Sequence, residues 1–165
     1  MIGLPQDLIA MAQRVLAACE ATTTPLALAE SCTGGLVGAA LTAISGSSAW
    51  IDRGFITYSN QAKIDMLGVP ESLIAEHGVV SEEVARAMAA GALTHSRATA
   101  SVAITGIAGP TGGTPGKPVG LVHIAAARHG QETLHQRLTL DGDRDHVRHA
   151  AALAAMELLV RRILE

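Results

Sequence analysis

The heptapeptide Ala29-Glu30-Ser31-Cys32-Thr33-Gly34-Gly35 follows a short apolar run, residues 25–29, and leads into residues 36–44, whose apolar positions suit a helix. That succession is strand, tight polar turn, helix N-terminus. Helix N-termini carry unpaired N–H groups and the positive end of the macrodipole, so negative charge is favoured there. Gly34 and Gly35 lack a Cβ, which lets a ligand approach the backbone closely. Ser31, Cys32 and Thr33 place three side-chain nucleophiles or donors beside those N–H groups. The same stretch also reads as a plain glycine-rich turn capped by Ser31 or Thr33. Its role therefore depends on what the rest of the chain brings to it.

Upstream, residues 5–21 carry Leu8, Ala12, Val15, Leu16 and Cys19 at helical spacing behind Pro5, a first-turn residue. Downstream, the second helix is expected over residues 33–44, and Ser45-Gly46-Ser47-Ser48 ends it. Residues 51–58 read as a strand with Phe55 and Tyr58 inside it. Ser59-Asn60 caps a helix over residues 61–67, which Gly68 terminates. A further short helix ends near His77-Gly78, and Ser81 caps a longer one with Glu82 and Glu83 in its first turn. Residues 98–105 form a small-residue strand, and residues 106–116 form a loop too rich in glycine and proline for regular structure. Strands over 120–128 and 133–140 flank Gly130 as a hairpin. The last helix, residues 143–164, is apolar around much of its circumference, which predicts burial on two sides or packing against a second copy.

This βα alternation, closed by a hairpin and a helix, predicts an α/β fold: a three-layer α/β/α sandwich with a mixed, mostly parallel sheet. Its length of 165 residues fits one domain, without internal repeat or linker. Ligands of open α/β sheets bind beyond the carboxyl ends of parallel strands. The loops after Ala29, Tyr58 and Thr105 share that edge if their strands run parallel, and Ser31, Lys63 and the glycine loop then converge.

Composition excludes several functions. At 48% hydrophobic and 16% charged residues the chain is globular, and a net charge of -3 exerts no general pull on nucleic acid or anionic membranes. Aromatic residues make up only 2%, too few for a base-stacking surface. No apolar run reaches membrane-spanning length and no leader-like N-terminus is seen, so a cytoplasmic protein is expected. Cys19 and Cys32 have neither zinc-ligand nor CxxC spacing, and Cys19 falls on the apolar stripe of the first helix.

Spacing also removes familiar sites. Residues 112–117 superficially resemble a phosphate loop, but Pro118 stands where Ser or Thr is required. Residues 106–109 are not a dinucleotide fingerprint, and Ser31 lacks the flanking glycines of a nucleophile elbow. His146 and His149 share a helix face without a third ligand, so no metal site is expected. His123 lies on a strand as a core or site-lining residue. Arg144 and Arg148, one turn apart, serve the last helix or clamp a carboxylate or phosphate. Lys63 falls in the first turn of its helix, where a cation is disfavoured. It is either a solvated surface lysine or a residue placed there for function.

Taken together, these motifs resemble a known family. The heptapeptide, Gly46-Ser47-Ser48, Gly54-Phe55-Ile56-Thr57-Tyr58-Ser59-Asn60 with Lys63, Gly78-Val79-Val80-Ser81, Thr105-Gly106-Ile107-Ala108-Gly109-Pro110 and Gly142-Asp143-Arg144 resemble the CinA C-terminal domain family. The resemblance covers nearly the whole chain, with no departure at the matched positions. That family includes stand-alone nicotinamide mononucleotide deamidases, whereas its larger members carry an additional N-terminal domain. The resemblance implies hydrolysis of the nicotinamide amide of the mononucleotide to nicotinate mononucleotide and ammonia. It also implies a homodimer, no metal and no cofactor.

By that resemblance Ser31 is the nucleophile, Lys63 the base, and Ser48 and Tyr58 position groups or relay protons. Tyr58 alternatively packs on the nicotinamide ring. Substrate-binding positions are Thr33, Gly34, Gly35, Asn60, Thr105, Gly106, Gly109 and Arg144, with oxyanion donors around Thr33 to Gly35 or in the loop after Thr105. The residues themselves agree with this chemistry. Amide hydrolysis needs a nucleophile, a base that later protonates the amine, and oxyanion donors, and a desolvated Lys63 can be that base. Two other readings stay open: a nucleotide-binding module in which Lys63 is only a counter-charge, and a competence- or DNA-damage-associated scaffold.

Overall fold

Alternate residues of the central strands are large on one side and alanine on the other, and this asymmetry sets the layers. The computed structural model describes residues 3–165. In chain order the elements are α1 (Gln6–Thr22), β1 (Leu26–Glu30), α2 (Leu36–Thr42), β2 (Ile51–Ile56), α3 (Asn60–Leu67), α4 (Glu71–His77), α5 (Glu82–Thr94), β3 (Ala100–Gly106), β4 (Leu121–Arg128), β5 (Leu134–Thr139) and α6 (Arg144–Leu164). A single turn of 3-10 helix, Ser47–Ala49, joins α2 to β2. The sheet order is β2-β1-β3-β4-β5. β1 is parallel to both β2 and β3, whereas the pairs β3–β4 and β4–β5 are antiparallel. The mixed three-layer sandwich is as expected.

Leu26, Leu28, Val102, Ile104, Val122 and Ile124 face α1, α2 and α6 in the larger core. The opposite face offers Ala27, Ala29, Ala103, Ala125 and Ala127 to α5. Small residues bring α5 down close to the sheet, and Ser101 Oγ donates to the Ala89 carbonyl of α5 at 2.7 Å. The other side of α5 is as tightly met. A Cβ on Gly91 would overlap the Leu67 carbonyl at the end of α3. Gly91→Ala is therefore expected to lose about 2 kcal/mol, because overpacking costs more than the roughly 1 kcal/mol gained in helix propensity. A fall in the urea midpoint at unchanged m value checks it.

α6 is buried inside the chain, packing with Val147, Ala151, Ala155, Met156 and Leu159 in the larger core. Most of its apolar circumference thus faces its own chain, with Leu164 left 59% exposed at its end. Among the described residues no helix is long and apolar enough to cross a membrane.

Several boundaries move for physical reasons. α2 starts at Leu36, with Gly35 as N-cap at φ 98° and no side-chain cap from Ser31 or Thr33. β2 ends at Ile56, so Tyr58 stands beyond it and is 63% exposed. Ser59 and Ser81 cap α3 and α5 as expected, accepting from the N–H groups of Ala62 and Val84.

The strand directions decide where function can sit. β1, β2 and β3 all end at one edge, and β5, two antiparallel steps from β3, ends there too. α6 therefore begins at that same edge and brings Arg144 and Arg148 to it.

Candidate active site

At the carboxyl edge of β1, β2 and β3 lies a cavity of about 330 Å³. Ser31 and Cys32 from the first loop, Tyr58, Asn60 and Lys63 from the second, and residues 105–109 from the third line it. Arg144 and the segment Val79-Val80 complete the wall.

Lys63 occupies the centre of this arrangement. Its position in the first turn of α3 points the side chain inward, and the residue is 1% exposed. Nζ lies 3.0 Å from Ser31 Oγ and donates to the Thr57 carbonyl at 2.5 Å. Burial pulls its pKa down from 10.5 to about 8, with Cys32 acting slightly the other way. A neutral amine has one lone pair and can accept the Ser31 proton while still donating to Thr57. The reading of Lys63 as a solvated surface lysine is thereby excluded. Cys32 is the poorer nucleophile, since burial pushes its thiol up to about 11. Its Sγ packs against Gly106, where a Cβ would sit 3.1 Å from the sulfur.

Arg144 spans the mouth of the cavity. Its guanidinium donates to the Gly109 carbonyl and to Tyr58 Oη, each at 2.9 Å. Tyr58, Asn60, Thr105, Gly106, Gly109 and Arg144 are thus assembled around the Ser31–Lys63 pair.

Thr33, Gly34 and Gly35 are not part of the cavity wall. Glu30, 1% exposed, turns its carboxylate back into the start of α2. Its Oε2 accepts from Thr33 Oγ1 at 2.6 Å, Gly35 N–H at 3.0 Å and Val37 N–H at 3.2 Å, and Oε1 accepts from Gly38 N–H at 2.9 Å. The helix N-terminus expected to receive a ligand is filled by the protein's own carboxylate. Gly34 N–H donates to the Ser31 carbonyl at 3.0 Å, so the oxyanion donors expected from Gly34 and Gly35 are committed elsewhere.

Ser48 is likewise elsewhere. It is exposed and lines a separate cleft with Pro25, Asp52 and Arg97, at the amino ends of β1, β2 and β3. The connection from α2 to β2 must reach the start of a parallel strand, which is the edge opposite Ser31. The Arg144–Arg148 clamp also does not form. Arg148 donates through Nε to Cys32 O at 3.1 Å and through a terminal nitrogen to Thr33 O at 3.0 Å.

Two other expectations resolve outside the cavity wall. His146 and His149 bond Asp143 Oδ1 and Asp7 Oδ2, both at 2.7 Å, and no metal-holding cluster occurs among the described residues. His123 Nδ1 meets His135 Nε2 at 2.9 Å, and burial first, then His135, drives His123 down to about 4.

Sequence reasoning gave no role to Glu30, to Val79-Val80 or to Lys117. Lys117 Nζ donates to the carbonyls of His77 at 2.5 Å and Val80 at 2.8 Å, and Thr105 Oγ1 donates to Val79 O at 2.9 Å. These bonds tie the two sides of the cavity wall together. The available signals were a lysine alone in a glycine-rich loop and an acid at the last position of a buried strand.

A serine and a buried lysine thus meet within hydrogen-bond distance at the carboxyl edge of a three-layer α/β/α sheet. The chain belongs to the CinA C-terminal domain family, whose model matches residues 8–163. It is 46% identical over 159 residues to the nicotinamide-nucleotide amidohydrolase PncC of Escherichia coli strain K12, covering 96% of each chain. A CinA-like protein of Citrifermentans bemidjiense is 52% identical over 139 residues, 84% of this chain. This chain spans only about a third of that protein, the match covering 33% of it. Among solved structures, the competence/damage inducible protein CihA from Agrobacterium tumefaciens superposes with TM-score 0.95 at 44% identity over 100% of both chains.

Proposed function

We propose that this protein is an amidohydrolase that converts nicotinamide mononucleotide to nicotinate mononucleotide and ammonia, through a Ser31 acyl-enzyme with Lys63 as base. The observation that carries the reading is the 3.0 Å contact between Ser31 Oγ and a lysine amine that burial holds near pKa 8. The near-full-length match to the Escherichia coli amidohydrolase supports the substrate class.

In the first step Lys63 takes the Ser31 proton as Oγ attacks the carboxamide carbon. The resulting ammonium then protonates the departing nitrogen, which leaves as ammonia. Water, deprotonated by the same amine, hydrolyses the ester and frees Ser31. Oxyanion donors come from Cys32 N–H or the loop after Gly106, the α2 amides being committed to Glu30. Arg144 offers its guanidinium to the phosphate, and Tyr58 positions the ring or the arginine. Such an activity belongs to pyridine nucleotide recycling in the cytoplasm.

The working assembly proposed is a homodimer. Edge strand β2 and its flank present Ile56 at 45%, Tyr58 at 63% and Met66 at 40% exposure, apolar surface that a second copy would cover. Sedimentation equilibrium decides between one copy and two.

Ammonia release from nicotinamide mononucleotide, followed beside simple amides, tests the activity. Turnover is expected to survive exhaustive chelation, since no step uses a metal. Recovery only on adding a divalent ion would overturn the mechanism, and absence of ammonia release would leave a nucleotide-binding module.

A further inference from the structure

We infer that Glu30 is a positioning residue for the nucleophile, its carboxylate acting as an internal anchor for the turn that carries Ser31. The inference rests on the reading of Ser31 as nucleophile and concerns how that serine is held.

A buried carboxylate beside the reacting residue calls for an account. Among the described residues no lysine or arginine hydrogen-bonds to it. Instead four donors meet it, which matches the roughly four lone-pair directions of a carboxylate. Three are backbone N–H groups at the start of α2, where negative charge is also favoured by the helix dipole. Glu30 is thus satisfied where it sits, and it does not line the cavity.

What this arrangement does follows from chain connectivity. Glu30 is joined covalently to Ser31, yet its side chain grips residues three to eight positions further on. The turn between them, with Gly34 at φ 58° and Gly35 at φ 98°, is closed into a loop by that grip. Arg148 holds the other side of the same turn through the carbonyls of Cys32 and Thr33. Ser31 N–H is fixed to Ile104 O of β3 at 3.1 Å. The backbone of Ser31 is therefore held from three directions, and Oγ is left facing Lys63. Misplacing a reacting group by about 1 Å costs on the order of 100-fold in rate.

Glu30→Gln keeps the size but replaces one oxygen by an NH₂ group, which must then face either Gly38 N–H or the trio of Thr33, Gly35 and Val37 donors. Donor meets donor, and the grip opens on that side. We expect kcat to fall about 10- to 100-fold with KM within about threefold, since substrate never touches Glu30. Thr33→Val removes one donor at nearly constant shape and should lower kcat about five- to tenfold, while Thr33→Ser, which keeps the hydroxyl, restores most of the rate.

The second readout needs no substrate. A small fluorophosphonate should label wild-type Ser31, detected by intact mass and peptide mapping, and both variants should be labelled more slowly in proportion to kcat. Should Glu30→Gln fail to fold by near-UV circular dichroism, Thr33→Val carries the test. Labelled wild-type protein with unchanged kcat and labelling rate in the folded variants overturns the proposal alone. A KM increase at constant kcat overturns it as well, by making Glu30 a binding residue. An unlabelled wild type together with an active Ser31→Ala overturns the nucleophile reading and this inference with it.

Discussion

Alanine in place of Ser31 is expected to lower kcat for nicotinamide mononucleotide by at least about 1000-fold, because no covalent intermediate can form. Substrate affinity should stay within a few-fold of wild type, as the rest of the cavity wall is untouched. The Ser31 side chain is small, so thermal stability should change little. Cys32→Ala is the matched control. Its thiol, pushed up to about 11, is protonated at working pH, and its removal should cost only a few-fold through altered packing beside Gly106. Steady-state ammonia release for both variants makes the comparison. Turnover kept by Ser31→Ala and lost by Cys32→Ala would move the nucleophile to the thiol.

Lys63→Arg is expected to be nearly as inactive as Lys63→Ala, a loss of about 100-fold or more, although it preserves the positive charge. Arginine does not deprotonate at working pH, and its planar guanidinium does not fit a pocket whose acceptors are Ser31 Oγ and Thr57 O. A lysine acting only as counter-charge to a phosphate would be replaced well by arginine. The pH profile gives a second sign. The active form is the neutral amine, so kcat/KM should rise with pH and level off above about 8. Substrate phosphate titrates near neutrality, so the profile must be repeated with an amide that lacks one.

Stability follows the same titration. The folded pKa of Lys63 lies below the unfolded value of 10.5, so the folded state binds the proton less readily. Below about pH 8 both states are charged and the full cost of burying the cation is present; the cost is relieved as pH rises from about 8 to about 10.5. Lys63→Met is expected to abolish turnover and to raise stability at neutral pH, a gain that shrinks as pH rises through that window. Thermal melts of wild type and variant across that range check the sign. Such a loss of stability is what a buried base of the proposed kind would cost.

Much of the architecture was legible because it depends on local pattern. The alternation of Leu and Ala in residues 26–29, the serines before α3 and α5, and Gly68 after α3 specify strand, caps and stop through neighbours a few residues away. The three loops at one edge followed from strand direction, and with them the meeting of Ser31 and Lys63. The misplacement of Ser48 was a matter of the same topology, since a loop entering a parallel strand lies opposite the loops leaving it.

Only the folded chain decided what each polar group at the turn does. Nothing in the heptapeptide says whether the N–H groups of α2 await a ligand or a side chain. The answer depends on the reach of Glu30 back over its own turn, and a buried carboxylate takes whichever donors lie within about 3 Å. Arg144 and Arg148 are identical in kind and one helical turn apart, yet one spans the cavity mouth and the other braces the turn that follows Ser31. Four residues apart, they differ by only about 40° around α6 but about 6 Å along it, which sorts them only once the axis of α6 is fixed by its packing on α1 and the sheet. The chemical state of Lys63 belongs to the same category: its depressed pKa comes from the protein that surrounds it on every side, and that enclosure exists only in the tertiary structure.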